Sequence, residues 1–255
     1  MSPLPFGTFA AVALLAALTG CTAGAHASLR QPAPSPVSTT APSPTPSRPS
    51  LQVPAGASLV ATATTRSIVV RRAPEAGSAV RWRLSNPNNL GAPLVFSVVG
   101  ELPGWWQVLV PARPNQSVGW VEAGTVRIEI DPYSITATLH RHEATVYRYG
   151  HVLWRLRIGV GARSAPTPTG RFYLTELLRA AQPHGAYGPF AYGTSAFSNV
   201  YSEFEGGNGQ IGVHGTDDPS SIGASVSHGC IRLHNADITR LASTVPAGTP
   251  LTVVA

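Results

Sequence analysis

Ser225-Val226-Ser227-His228-Gly229-Cys230-Ile231-Arg232-Leu233 holds one of only two cysteines in a chain of 255 residues. The other, Cys21, closes an apolar N-terminal run, so the chain beyond it carries a single thiol, with His228 and Arg232 as near neighbours. A second histidine precedes this stretch in Ile211-Gly212-Val213-His214-Gly215-Thr216. A lone thiol in an exported chain needs a reason, because such thiols tend to be oxidised or paired. An intermolecular disulfide, a metal ligand and a nucleophile are the available readings. A histidine beside a thiol suits the last, because the imidazole takes the proton and later returns it. Gly229 permits a tight turn that aims consecutive backbone N–H groups at one point, the arrangement an oxyanion requires. Spacing alone does not choose between His214 and His228 as the base.

Outward from this stretch, the composition favours short strands over long helices. Gly and Pro number 25 and 24, and charged residues make up 12%, about half the usual share. All 18 basic residues are Arg, and the net charge is +6. They are dispersed rather than clustered. Arg81/Arg83 and Arg155/Arg157 alternate as on the solvated face of a strand. Neither a basic stripe nor a recognition helix appears, so nucleic acid is not an expected partner.

The apolar run Phe6–Leu18 is too short to span a bilayer and fits a signal-peptide core. It ends in Leu18-Thr19-Gly20-Cys21, which resembles a bacterial lipobox with Cys21 as the lipidated residue. The competing reading is an ordinary signal peptide cut near Ala25-His26-Ala27. Residues 1–21 are therefore expected to be a lipoprotein signal and residues 22–50, rich in Pro, Ser and Thr, a linker. Proline would hold that linker extended, with a reach on the order of 90 Å. The expected location is the outer face of the cytoplasmic membrane and the cell wall, with a lipid anchor in the membrane.

Residues 56–126 alternate short β-type runs with turn signals. The runs are Leu59–Ala63, Ile68–Val70, Leu94–Val99, Trp106–Val110 and Ser117–Val121, and Asn86-Pro87-Asn88-Asn89 and Leu102-Pro103-Gly104 are among the turns. This predicts a small barrel, and Gly104-Trp105-Trp106-Gln107-Val108 with Val118-Gly119-Trp120-Val121 resembles the end of a bacterial SH3-like domain. Trp105, Trp106 and Trp120 form either a platform for wall material or core and rim packing. Residues 127–255 continue as strands, with one clear helix signal at Asn235–Ala242, capped by Asn235 or Asp237. The fold class is thus mainly β, an SH3-like barrel followed by a second, largely β domain with one or two short helices.

His214-Gly215-Thr216 followed by Ser227-His228-Gly229-Cys230-Ile231-Arg232 resembles the signature of the YkuD-type L,D-transpeptidases. Ala165-Pro166-Thr167-Pro168-Thr169-Gly170-Arg171-Phe172 resembles the same family's strand-entering motif. The resemblance covers roughly residues 125–255 and implies that this second domain is a β-sandwich catalytic domain. It implies that Cys230 is the nucleophile and His214 the proton donor and acceptor, oriented by the Gly215 carbonyl. It implies that stem tetrapeptides of peptidoglycan are acylated onto the thiol with loss of D-Ala, then joined in 3→3 cross-links during cell-wall biogenesis, without metal or cofactor. Gly229, His228, Ser227, Arg232 and Tyr192 are the expected substrate or oxyanion contacts, with Arg232 able to clamp a carboxylate. Ala186–Thr194, aromatic and Gly-rich, reads as a lid or as an ordinary surface loop. Carbapenem-type inhibitors are expected to acylate the thiol, and the chain is expected to be a monomer.

Other readings compete. Water as acceptor would make a carboxypeptidase, and a protein amine an anchoring enzyme. A non-catalytic wall-binding adaptor is the alternative from another class, opposed by the intact His214 and Cys230. His214, His228, Cys230 and His234 have the residue types of zinc ligands, but no Cys-x-x-Cys pair accompanies them.

Overall fold

Alternating apolar residues in the N-terminal half become a twisted antiparallel sheet. The computed structural model describes residues 51–255. The expected leader, Cys21 and the linker lie outside the described residues. Seven strands build the first sheet: β1 (Ser58–Ala63), β2 (Ser67–Arg71), β3 (Val80–Ser85), β4 (Val95–Leu102), β5 (Trp105–Leu109), β6 (Val118–Glu122) and β7 (Val126–Asp131). Their order is β3-β2-β6-β5-β4-β1-β7. Ile68, Val70, Phe96, Trp106, Val108 and Val121 fill its interior. Arg81 and Arg83 on β3 are exposed, as alternation requires.

The expected division at 126/127 falls at the start of β7, which pairs along its whole length with β1, from Ser58↔Asp131 to Ala63↔Val126. Strand pairing therefore carries the first sheet through Asp131. Of the three tryptophans read as a platform, Trp106 is buried in the core, while Trp105 and Trp120 are half-buried.

Ten further strands follow: β8 (Tyr133–Thr138), β9 (Glu143–Arg148), β10 (His151–Arg157), β11 (Val160–Gly161), β12 (Gly170–Arg179), β13 (Phe190–Phe197), β14 (Gln210–His214), β15 (Ser225–Ser227), β16 (Ile231–Arg232) and β17 (Pro250–Val254). Eight form one sheet in the order β10-β9-β8-β17-β12-β13-β14-β16, and β11 pairs with β15. The C-terminal strand β17 sits in the middle, parallel to β8 and antiparallel to β12. Phe172, Leu174, Tyr192, Val213, Ile231 and Leu251 pack one face of this sheet. The helix α1 (Asn235–Ala242) closes that face with Ile238 and Leu241.

The chain is thus mainly β, with one α-helix among the described residues. That helix is shorter of a cap than the sequence reading holds. Its N-cap is His234, without a side-chain bond, and Asn235 Oδ1 instead accepts the Thr216 N–H at 2.9 Å. The loop that follows the catalytic-type histidine thus takes the group expected to cap the helix.

Residues 50–255 form one compact unit, and the two sheets meet over a small apolar cluster of Val60, Val95, Leu109 and Tyr173. Tyr173 on β12 is fully buried and donates its hydroxyl to the Val95 carbonyl of β4 at 3.1 Å. Arg113 and Asn115, in the loop between β5 and β6, reach the second sheet. The Arg113 guanidinium donates to the carbonyls of Ser198, Tyr201 and Asn208 at 2.6, 2.9 and 3.2 Å. Asn115 donates to the Phe197 carbonyl and accepts from the Phe197 N–H.

A Tyr173→Phe variant should fold but lose about 1 kcal/mol, because the Val95 carbonyl is left buried without its donor. In thermal unfolding this corresponds to a fall of roughly 2–4 °C.

Candidate active site

Strands β12, β13, β14 and β16 carry the site. Alternation on β14 sends Ile211 and Val213 into the core and leaves Gln210, Gly212 and His214 on the opposite face. The parallel partner β16 registers Ile231 against Val213 and Arg232 against His214, which brings Cys230 beside Gly212. The Gly212 N–H donates to Cys230 Sγ at 3.3 Å. A Cβ built on Gly212 would lie 3.5 Å from His214 Cδ2 and 3.8 Å from Cys230 Sγ. The histidine and the thiol therefore face each other over the one position on β14 that has no side chain.

His214 is buried, and its Nδ1 lies 2.6 Å from the Gly215 carbonyl. An acceptor at Nδ1 fixes the proton there and turns Nε2 into the basic nitrogen. Burial pushes the His214 pKa down to about 4; the Gly215 contact opposes this, and the Arg232 charge adds to it. The imidazole is neutral at pH 7 as a result. Burial pushes the Cys230 thiol up from its ordinary value, against the smaller lowering effects of the Gly212 N–H and Arg232. The resting pair is thus a thiol and a neutral imidazole rather than an ion pair.

The turn that presents Cys230 is fixed from two sides. Gly229 has φ +118°, and a Cβ there would stand 2.8 Å from Ile211 Cδ1. Ser227 Oγ donates to the Cys230 carbonyl at 2.6 Å and accepts the Gly229 N–H at 3.2 Å. Thr167 Oγ1 donates to the Gly229 carbonyl at 2.8 Å and accepts the Gly161 N–H at 2.9 Å. The Thr-Pro-x-Gly stretch picked out in the sequence therefore acts as a brace under the cysteine loop. The expectation that the Gly229 N–H faces an oxyanion does not hold, since Ser227 occupies it. The Cys230 N–H donates to no group among the described residues and is the amide left to point at a reacting oxygen.

Tyr192 also departs from expectation. It is fully buried, and its hydroxyl donates to the carbonyls of Leu241 and Val245 at 3.1 and 2.6 Å. It alternates with Gly193 on β13, so its side chain enters the core while Gly193 faces the cleft. The stretch read as a lid is accordingly split, because Phe190–Thr194 is already strand. His228 is exposed and packs against Phe204 and Tyr201, with ring centroids 4.8 and 6.0 Å away. Arg232 is half-buried, makes no ion pair among the described residues, and has an Nε without a hydrogen-bond partner.

Tyr187, from the stretch read as a lid or loop, and Glu205, which the sequence reading passed over, complete the wall. Tyr187 stacks at 4.8 Å on the His214 ring and donates its hydroxyl to Glu205 at 3.0 Å. Tyr187 belongs to the aromatic stretch that drew notice, but Glu205, in a Gly-rich turn, carries no sequence signal. The cleft they line has a volume of about 510 Å³ and includes Cys230 and His214. No group of three or more His, Cys, Asp or Glu residues is arranged to hold a metal among the described residues.

The family model of the YkuD L,D-transpeptidase catalytic domain matches residues 132–253. A Bacillus licheniformis protein named as an L,D-transpeptidase, YkuD, is 35% identical over 164 residues, covering 62% of this chain and 91% of that protein. The Bacillus subtilis protein of the same name is 38% identical over 122 residues, covering 48% of this chain and 66% of the relative. Among solved structures, L,D-transpeptidase 3 from Mycobacterium tuberculosis in complex with a faropenem-derived adduct aligns with a TM-score of 0.41 and 16% identity, over 62% of this chain and 79% of that one.

The raised thiol pKa sets a chemical expectation. Alkylation of Cys230 by iodoacetamide should be slower at pH 7 than that of a free cysteine and should climb with pH beyond about 9, as the thiolate forms. Mass spectrometry of the alkylated chain over that range measures it, and fast alkylation at pH 6 would contradict the neutral pair.

Proposed function

The chain belongs to the YkuD family of L,D-transpeptidases, and from that premise we propose that it acylates Cys230 with peptidoglycan stem tetrapeptides and passes the acyl group to an amine. The observation that carries this reading is the facing pair over Gly212, a thiol 3.3 Å from the Gly212 N–H beside a neutral histidine oriented by its own neighbour's carbonyl. His214 Nε2 takes the thiol proton as Sγ attacks the carbonyl of the diamino acid residue. The Cys230 N–H meets the developing oxyanion. The proton then passes from His214 to the leaving D-Ala nitrogen, and a thioester remains. A side-chain amine of a second stem attacks the thioester, the C–S bond breaks, the amine proton passes through His214 to the departing Cys230 sulfur, and a 3→3 link forms. Arg232, a half-buried cation without an ion pair among the described residues, is suited to hold a stem carboxylate. His228 and Ser227 act through the loop: Ser227 holds its turn, and His228 packs against Tyr201 and Phe204.

In this reading the protein works outside the cytoplasmic membrane. Cys21 is its lipid anchor and residues 22–50 its tether, and the first sheet is an SH3-like module that places the site against wall material. The acceptor separates this enzyme from its variants. Water would yield trimmed tripeptides, and a protein amine would yield a wall-anchored protein. Muropeptide analysis with purified protein distinguishes them.

Incubation with imipenem or meropenem should add one covalent mass at Cys230. Absence of an adduct with both carbapenem and stem tetrapeptide would return the chain to the class of wall-binding adaptors. Cys230→Ala should lower turnover by on the order of 10³-fold or more.

The pH dependence follows from His214. Its pKa is lowered to about 4, so the base is already free at pH 5 and is lost only as pH falls through about 4. The acid limb of kcat/KM for acylation, which reports the free enzyme, should therefore lie near 4. A limb at about 6.5 would mean an ordinary solvated imidazole.

A further inference from the structure

The cleft does not end at the thiol. Beyond it lies a second cavity of about 250 Å³, and the two share Asn89, Glu176, Asn208 and Gln210. The outer cavity is walled by both sheets, with Asn88, Asn89 and Leu94 from the first and Thr175, Glu176 and Gln210 from the second. Glu176 stands where they meet. It is 3% exposed and carries no ion pair among the described residues. Its carboxylate accepts from Asn88 Nδ2 at 3.0 Å and from Gln210 Nε2 at 3.4 Å. These amides, like the Thr175 hydroxyl that also bonds the carboxylate, are neutral, so the charge itself is unanswered. Arg83 lines the same cavity without pairing with it. Buried carboxylates are ordinarily matched by a cation. Burial accordingly pushes the Glu176 pKa up.

The backbone is shaped to aim this group into the groove. The register of β12 against β13 shifts between Leu174 and Leu177, so that Thr175 and Glu176 together oppose Gly193. A bulge of this kind re-aims side chains. A Cβ at Gly193 would collide with Glu176 Oε1. Gly193 in turn pairs with Gly212, the position under the thiol. Cross-strand partners in an antiparallel pair project to the same face. Glu176 and Cys230 therefore lie on one face of the sheet, at the two ends of a floor of bare glycine backbone. Their strands are three steps apart in the order β12-β13-β14-β16, but the carboxylate reaches back over Gly193 and the thiol over Gly212, so the two groups stand over neighbouring strands, roughly 5–10 Å apart.

We propose that Glu176 is the end of a cation subsite that receives the side-chain ammonium of the donor residue whose carbonyl Cys230 attacks. The proposal rests on the transpeptidase reading for the identity of that residue, a diamino acid. The lengths agree. A carbonyl carbon about 3 Å from Sγ leaves several ångströms to the carboxylate, within the reach of an extended side chain of four or five carbons. Asn88 and Asn89 of the first sheet form the far wall, so that sheet takes part in substrate selection. The ammonium supplies the charge that the amides around Glu176 lack, and the hydrogen bonds become charge-assisted.

Binding to the Cys230→Ala chain, which needs no turnover, tests the subsite. Two stem tetrapeptides are compared by calorimetry, one with its ω-amine free and one with that amine acetylated. The free amine should bind about tenfold more tightly, the value of one charged hydrogen bond. That comparison needs no change at Glu176, so it stands even if variants there fold poorly. Adding Glu176→Gln, checked for folding by its melting temperature, should abolish the difference. Equal binding of the two peptides, or a preference that survives Glu176→Gln, overturns the subsite. Thioester formation by the unaltered chain is read separately by mass. A preference for the free amine with no thioester from either peptide overturns the transpeptidase reading and leaves the cation subsite standing.

Discussion

The hydroxyl of Thr167, between the Gly161 N–H and the Gly229 carbonyl, is the contact on which the reactive loop depends. Gly229 holds φ +118°, a conformation that its local sequence does not enforce. It is kept there because its carbonyl is tied to Thr167 and its N–H to Ser227. With the turn fixed, Cys230 has one place to go, over Gly212, and its N–H donates to no group among the described residues. A buried polar group with both its bonds made also resists movement, since breaking either bond would strand it away from water. The loop is thus rigid without any covalent staple.

Electrostatics at the site follow from that rigidity and from burial. The histidine and the thiol are pressed toward their neutral forms, the first downward in pKa and the second upward. A protonated thiol is also the less readily oxidised form, since thiolate is the oxidised species. Arg232 biases both groups in the same direction and has no partner of its own among the described residues.

The first sheet is structurally committed to the second. Arg113 ties down the segment that carries Tyr201 and Phe204, the aromatic pair beside His228. Tyr173 and Asn88 reach across the same boundary, the latter to Glu176. The groove that leads to the thiol is consequently assembled from both sheets. A chain lacking residues 58–131 would strip Tyr173 of its Val60, Val95 and Leu109 cover and lose one wall of that groove.

The mainly β character, the short strands of the first sheet, the single helix and the isolation of Cys230 among candidate histidines were all legible in the residues. Each of these is written locally, in alternation, turn chemistry or a motif with its own spacing. The family likeness chose His214 over His228, and the burial of the one and the exposure of the other give the physical reason. Tyr192 was misread because a side chain's face depends on the register of β13, and one residue's difference exchanges core for cleft. The Gly229 N–H was misassigned because Ser227 competes for it, a contact seen only once the loop is closed. Glu205 and Glu176 gave no signal at all. Their roles come from strands and loops distant in sequence that meet only in the folded chain. The sequence by itself determined which segments are strands and where the lone thiol and its two candidate histidines lie, since propensity and pattern are local. The tertiary structure alone decided which faces those strands turn to the groove, what holds the cysteine loop, and that both sheets wall the site, because register, burial and long-range contacts exist only after packing.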